Sequence, residues 1–208
     1  MTTRPAFAPW DVRTAPRILS PEESARRVRT FAAVEERAAQ LLEGFASSID
    51  SEHGQATLRR HAKHHAYHAE LLRSRVADAS GSAGDAIEDA AVAAFVDALD
   101  GTDPIDVLTG IYRVLLPRAV SAYTYFVRAL GSDAADADQR WYDLILKDLF
   151  DGVRDGELLL QSLLLEGGEA AVQRSADRRV QLENLMLQAG GLVGPDSLGG
   201  ASTKENAR

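Results

Sequence analysis

The sequence predicts an all-α protein, and two observations lead to that prediction. Its long segments repeat apolar residues at spacings of three and four, which places them on one face of a helix, and none alternates as a strand would. Helix start and stop signals, such as Ser20-Pro21 and Gly167-Gly168, divide these segments. We therefore expect long helices packed around one hydrophobic core.

The composition bounds the class of protein. The chain has 208 residues, 45% of them hydrophobic, which is enough for one core and one domain. A net charge of −8 without any sizeable basic face argues against nucleic-acid binding. Because cysteine is absent, there is no disulfide framework and no thiolate metal site. Neither a signal peptide nor a membrane-spanning apolar run is recognisable, so we expect a cytoplasmic protein with no membrane partner.

The domain begins after residues 1–19, which are broken by prolines and are expected to be extended. Ser20 followed by Pro21 and Glu23 is a capping box and predicts the start of the first helix. Glu35 falls on the core face of that helix, whereas its neighbour Glu36 does not. The predicted inward positions are Phe31, Glu35, Ala38, Leu42, Phe45 and Ile49.

The second helix carries most of the histidines. Of the 5 in the chain, His61, His64, His65 and His68 lie within residues 58–76. The helical period places His65 on the inward face, His61 and His68 on its flanks, and His64 further out. The predicted inward positions are Leu58, Ala62, His65, Ala69, Leu72 and Val76.

The second half of the chain predicts a short crossover helix and three further helices. The crossover helix is expected at about 86–99, with Ile87, Ala91, Ala94 and Phe95 inward. Asp103-Pro104 predicts the start of a helix that runs to about residue 130 and is interrupted at Pro117. A helix over about 137–165 ends at Gly167-Gly168. An extra C-terminal helix over about 169–188 is expected to pack on the bundle through Val172, Val180, Leu182 and Leu185 or Met186. The helical domain thus covers 20–190, and 191–208 are expected to be a disordered tail.

Four long helices with one long crossover resemble the ferritin-like four-helix bundle. In its di-iron members the first helix gives a Glu and the second a Glu-x-x-His motif. Here Glu35 matches the first acid and His65-Ala66-Tyr67-His68 matches the motif, with histidine in place of glutamate. The run that begins His68-Ala69-Glu70 is also similar to the one that follows the metal histidine in many ferritin-like proteins. The resemblance implies a divergent member of that superfamily, whose usual chemistry is oxidoreductase.

The second half of the chain departs from the di-iron pattern. The third long helix has no acid between Asp106 and Asp133, and the fourth has no histidine. Leu149 and Gly152 stand where the resemblance would put Glu and His, and the acids nearby, Asp148, Asp151 and Asp155, are expected to point away from the core.

This argues against a conventional di-iron centre. What remains is at most one divalent transition metal, Fe, Mn, Zn or Cu, held by Glu35, His65 and His68, with His61 one turn away. Whether the chain is an enzyme stays open.

The alternative is a metal-free bundle that binds a small molecule or a partner protein. A ligand pocket near Pro117 is one expectation, lined by Tyr112, Arg118, Tyr125, Leu149 and Gly152. The competing interpretation is that these tyrosines belong to the core and that the arginines pair with acids of the fourth helix. We also expect a homodimer, because Val34, Leu41 and Leu71 look like spare apolar positions on the first two helices.

Overall fold

Helices make up most of the described chain, which in this computed structural model covers residues 19–77, 87–130 and 132–193. Over these ranges no strand is present, so the all-α prediction is confirmed. None of the helices in these ranges is both long and apolar enough to cross a bilayer. The expectations for residues 1–18 and for the tail beyond 193 lie outside the described residues.

Helix α1 (Pro21–Ala46) begins where the capping signal predicts. The backbone N–H of Glu23 donates to Ser20 Oγ at 3.2 Å, and Pro21 occupies the first turn. The capping box is only half formed, because the Glu23 carboxylate accepts hydrogen bonds from Arg26 and Arg27 instead of returning to the cap. Glu35 is buried on the core face, as predicted, between Phe31 and Ala38.

Helix α2 (Glu52–Ala77) runs antiparallel to α1. At one end the Gln55 side chain donates to the Ile49 carbonyl at 2.8 Å, and further along Arg73 reaches back to Glu36 at 3.2 Å. The predicted inward face is confirmed wherever its side chains are described. Its buried members are Leu58, Ala62, His65, Ala69 and Leu72.

The crossover runs alongside α1 in the same direction. Arg29 pairs with Glu88 at 2.9 Å near the start of α1, and Arg37 pairs with Asp100 further along. Helix α3 (Ala90–Asp97) lies on this path and follows its cap Asp89, so its first residue is four positions later than the sequence suggested.

Ile87 precedes the helix, so it does not share a helical face with the later residues that the sequence grouped with it. Ala91 and Ala94 are exposed, contrary to the prediction. The buried residues of this segment are Val92, Phe95, Val96 and Leu99.

The next helical stretch contains a π-helix. Helix α4 (Pro104–Leu108) begins at the predicted cap Asp103, which accepts from Ile105 N–H at 2.8 Å. A π segment (Thr109–Leu115) follows, and helix α5 (Leu116–Ala129) then carries Pro117 in its first turn. Proline has no N–H and crowds the carbonyl four residues earlier, so the wider i→i+5 pattern is how the chain passes the interruption predicted at Pro117.

Helix α6 (Ser132–Gln188) has a break inside it at Gly168, where φ is 67° and ψ is −159°. The positive φ is a conformation that glycine adopts at little cost, and it separates an arm over 132–167 from a C-terminal arm over 169–188. The stop predicted at Gly167-Gly168 is therefore confirmed. The first arm is antiparallel to the π segment and α5, since Arg113 pairs with Glu157 at 2.7 Å while Tyr123 lies against Tyr142.

The C-terminal arm packs through only part of the predicted set of residues. Val172 and Val180 are exposed, whereas Leu182 and Met186 are buried. Gly168 is not helical, so the inward direction of the first arm cannot be extended along the sequence into the C-terminal arm. Ser175 is buried here and forms a hydrogen bond with Thr109 of the π segment at 2.8 Å.

The apolar positions expected to form a dimer are largely used within the chain. Val34 and Leu41 are buried in the core, and Leu71 is half-buried against it. The basis given for a homodimer on α1 and α2 is therefore wrong. A homodimer through another surface stays a prediction that light scattering can test.

Candidate metal centre

A buried carboxylate with three hydrogen-bond donors lies at the centre of the bundle. His65 Nδ1 donates to Glu35 Oε2 at 2.6 Å, and His68 Nδ1 approaches the same oxygen at 3.2 Å. Tyr123 donates its hydroxyl to the other oxygen, Oε1, at 2.6 Å. All four residues are buried, so the carboxylate receives from protein donors the hydrogen bonds that water would otherwise supply.

Helix geometry explains why these side chains meet. His65 and His68 are one turn apart on α2, so both rings reach toward the same turn of α1. Tyr123 belongs to the inward face of α5, which repeats through Ala119, Tyr123 and Phe126. Tyr123 also packs its ring on Phe31, with ring centroids 4.5 Å apart, and this contact fixes the position of its hydroxyl.

Asp148 of α6 adds a second carboxylate, which the sequence analysis placed incorrectly. Its Oδ2 lies 3.2 Å from His68 Nε2, on the side of the ring opposite Glu35. Asp148 was expected to point outward, and this is wrong. Helix α6 packs against α2 as well as α5, so residues on both sides of Leu149 face the interior of the bundle. We call Glu35, His65, His68, Tyr123 and Asp148 the Glu35 cluster.

The neighbours of Glu35 determine its charge. Burial raises the pKa of Glu35, but the charge and hydrogen bonds of His65 and His68 outweigh burial and hold the pKa well below its usual range. For His68, burial lowers the pKa, and the contacts with Glu35 and Asp148 more than reverse that effect, so its pKa is raised. Burial and the adjacent Glu35 raise the pKa of Tyr123. An ionised Glu35 and a neutral Tyr123 follow, and the surroundings of His68 favour its protonated form.

His61 lies outside this cluster, although the sequence suggested it as a ligand. Its Nδ1 is 2.8 Å from the Tyr112 hydroxyl, and its Nε2 is 3.5 Å from Arg60 and 4.0 Å from Asp155. Burial, and then the charge of Arg60, lower the pKa of His61 to about 4. We call His61 and Tyr112 the His61 pair. The Tyr112 ring fits because it lies against Gly156, where a Cβ would overlap it.

The residues expected to line a ligand pocket have separate partners. Tyr112 is buried in the His61 pair, Arg118 binds Glu183 at 2.5 Å, and Tyr125 is half-buried. A Cβ on Gly152 would lie 3.2 Å from Leu116, so this glycine serves close packing of α6 on α5. Leu149 is the one of the five that borders a narrow gap beside Glu35 and His65. A ligand pocket at these residues stays a prediction.

The donor set of the Glu35 cluster suits a transition-metal ion. Among the described residues, Glu35, His65 and His68 each offer a ligand atom, and these atoms all lie within 4.8 Å of one another. Two imidazoles and one carboxylate are the donor types that Fe, Mn, Zn and Cu accept. His68 could ligate through Nδ1 while Nε2–H donates to Asp148, and Glu35 could ligate through Oε2 while Tyr123 holds Oε1. Such outer hydrogen bonds are typical of metal sites in proteins.

Comparisons with known proteins add no relative. No protein-family model, no curated protein and no solved structure matches this chain.

Tyr123 and Asp148 are the members of the cluster that sequence reasoning missed. A signal existed for Tyr123, because a tyrosine on the core face must find a partner for its hydroxyl and Glu35 was the acid predicted to be buried. No comparable signal existed for Asp148, since its contact depends on how α2 and α6 lie beside each other.

Proposed function

We propose that this protein is a divergent ferritin-like bundle that binds a single divalent transition-metal ion at Glu35, His65 and His68. The observation that carries the proposal is the surroundings of His68. One ring nitrogen faces Glu35 with His65 beside it, and the other faces Asp148 at 3.2 Å. A carboxylate behind a histidine fixes the ring orientation and increases its basicity as a ligand.

The helix arrangement supports the ferritin-like part of this proposal. Helices α1 and α2 are antiparallel, as are α5 and the first arm of α6. The crossover follows α1 from Glu88 to Asp100, so α5 descends in the same direction as α2. One long crossover between two antiparallel pairs is the layout of that superfamily.

Three protein ligands would leave open coordination positions, and an ion held in this way supplies Lewis acidity or, for Fe and Cu, electron transfer. The chain's own residues have narrower tasks. Tyr123 holds one oxygen of Glu35, and Asp148 holds the outer nitrogen of His68. Oxidoreductase activity is what the resemblance implies, and it remains analogy at the level of the fold.

A second candidate is a metal-free bundle in which the Glu35 cluster is a structural polar core. The hydrogen bonds of the cluster favour it, because both ring nitrogens of His68 and both oxygens of Glu35 already have partners. A fully satisfied buried network of this kind can specify a unique packing without any ligand. Its partner would be a small molecule or another protein.

Elemental analysis of protein purified without a histidine tag separates the two candidates. We expect close to one equivalent of Fe, Mn, Zn or Cu in the wild-type protein and in a His53→Ala control, which removes an exposed histidine of the same helix. His68→Ala should bind none. The metal should also raise the melting temperature, because it binds the folded state alone. A wild-type protein that takes up none of these metals would exclude the metal site and favour the polar core.

A further inference from the structure

We propose that a metal ion reaches the Glu35 cluster through the seam between α2 and α6, where His64 and Asp148 receive it from solvent. This inference rests on the proposed metal site and adds the route by which the site is filled. The residues involved are His64 at the surface, Asp148 below it and His68 at the buried end.

Two other sides of the cluster are closed by the described residues. Tyr123 is buried and packs on Phe31, which in turn packs edge-on against Phe126. The gap beside Glu35 and His65 is too narrow to admit a water molecule. Its remaining lining is apolar and consists of Val34, Ala38, Leu115, Leu116, Ala119 and Leu149. A hydrated cation finds no polar atoms along that side.

The α2–α6 seam is different because side-chain exposure rises outward along it. The exposed fraction is 1% at His68, 17% at Asp148 and 39% at His64. Asp148 Oδ2 lies 3.2 Å from His68 Nε2 and 4.0 Å from His64 Nδ1. The Asp148 carboxylate therefore lies between a half-exposed imidazole and a buried one. Each of these three groups can replace a water molecule bound to a transition-metal ion.

The charges on this side of α6 also favour Asp148. Asp151 is paired with Lys147 at 3.0 Å and with Arg154 at 3.1 Å, and Asp155 binds Arg60 at 2.7 Å. The contacts of Asp148 are with imidazoles, His64 and His68. Of these three acids, Asp148 is the one whose salt bridges are with imidazoles, although Lys147 lies near enough to act on its charge. A cation approaching the seam is drawn to it.

The chemistry of the route also selects among ions. Imidazole with carboxylate binds Zn²⁺, Fe²⁺ or Cu²⁺ well, whereas Ca²⁺ and Mg²⁺ prefer all-oxygen surroundings. The His64–Asp148 pair therefore admits the same class of ion that the buried ligands hold.

Stopped-flow absorption with Co²⁺ as the probe tests the route, because the visible spectrum of Co²⁺ changes when it exchanges water for protein ligands. His64→Ala should slow both binding and release by about tenfold and leave Kd unchanged, since His64 acts on the path and not in the final site. Asp148→Asn should slow binding and also weaken Kd by about 10- to 100-fold, because Asp148 also supports His68. Asp151→Asn is the matched control on α6 and should bind at the wild-type rate.

The outcomes separate this inference from the proposed function. If the wild-type protein binds Co²⁺ but His64→Ala and Asp148→Asn bind it as fast as wild type, the route is wrong and the site stands. A His64→Ala variant with a weaker Kd and an unchanged binding rate would make His64 a ligand and would also overturn the route. If wild type binds no Co²⁺ at equilibrium, the metal site itself fails.

Discussion

Two buried histidines on the same helix face opposite electrostatic surroundings. His61 and His68 lie two turns apart on α2, and both are buried. His68 lies between the carboxylates of Glu35 and Asp148, and its pKa is raised. His61 lies beside the Tyr112 phenol and Arg60, and its pKa is lowered to about 4 although Asp155 is 4.0 Å away.

The difference shows that the neighbours, and not burial, decide which of the two imidazole rings favours a positive charge. Burial disfavours the charged form of both rings. Anionic neighbours that stabilise a proton on His68 would stabilise a metal ion in the same place, whereas Arg60 repels either kind of positive charge from His61. The surroundings of His68 therefore favour a positive charge, whereas the His61 pair is a neutral hydrogen bond in the core.

The largest expected effect comes from removing the charge at the centre of the cluster. Glu35→Gln should lower the free energy of unfolding by about 3 to 5 kcal/mol, because it leaves the buried His68 without its main anionic partner. Glu36→Gln is the matched control next to it on α1. It loses a half-exposed contact with Arg73 and should cost about 1 kcal/mol or less. Urea denaturation measures both values, and equal losses would show that the cluster holds no buried charge.

The His61 pair should instead be visible in the pH dependence of stability. Unfolded histidine has a pKa of about 6.5, and folded His61 has one of about 4. Between these values the unfolded state binds a proton that folded His61 does not, so the free energy of unfolding falls as the pH falls from about 6.5 to about 4. The stability present above pH 6.5 is lost over that window, and the loss approaches about 3 kcal/mol.

Urea denaturation of His61→Gln at pH 7 and at pH 4.5 isolates this contribution. The difference in unfolding free energy between the two pH values should be smaller in His61→Gln than in wild type or in the exposed control His53→Gln. A His61→Gln variant with the wild-type pH dependence would mean that His61 is not held neutral.

A smaller effect separates the two tyrosines. Tyr123→Phe removes a hydrogen bond to a charged oxygen and should cost about 2 kcal/mol, whereas Tyr112→Phe removes one to a neutral imidazole and should cost about 1 kcal/mol. Both substitutions remove one buried hydroxyl, so each is the control for the other in the same denaturation measurement. A larger loss of stability in Tyr112→Phe than in Tyr123→Phe would contradict the assignment of the charged acceptor to Tyr123.

The sequence predicted those parts of the site that depend on one helix at a time. Glu35, His65 and His68 were found because the period of α1 and of α2 gives the inward direction of each side chain. Asp148 and the partner of His61 were not found, since both depend on the sideways arrangement of α6 and the π segment against α2. The buried face of the C-terminal arm could not be predicted fully either, because its orientation depends on the backbone conformation at Gly168.

The π segment has a further consequence for how the two sites are separated. An i→i+5 turn holds one residue more than an α-helical turn, so the segment is equivalent to a single-residue insertion in the helical stretch from Pro104 to Ala129. Tyr112 lies inside the segment and Tyr123 lies beyond it, and in an uninterrupted α-helix they would share a face. Deleting one residue from 113–115 would let the stretch return to α geometry with the two tyrosines ten residues apart, and at about 100° per residue they would still lie on different faces. The wide turn thus absorbs one extra amino acid and keeps the two tyrosines on different faces, so that His61 has one phenol as its partner and Glu35 has the other.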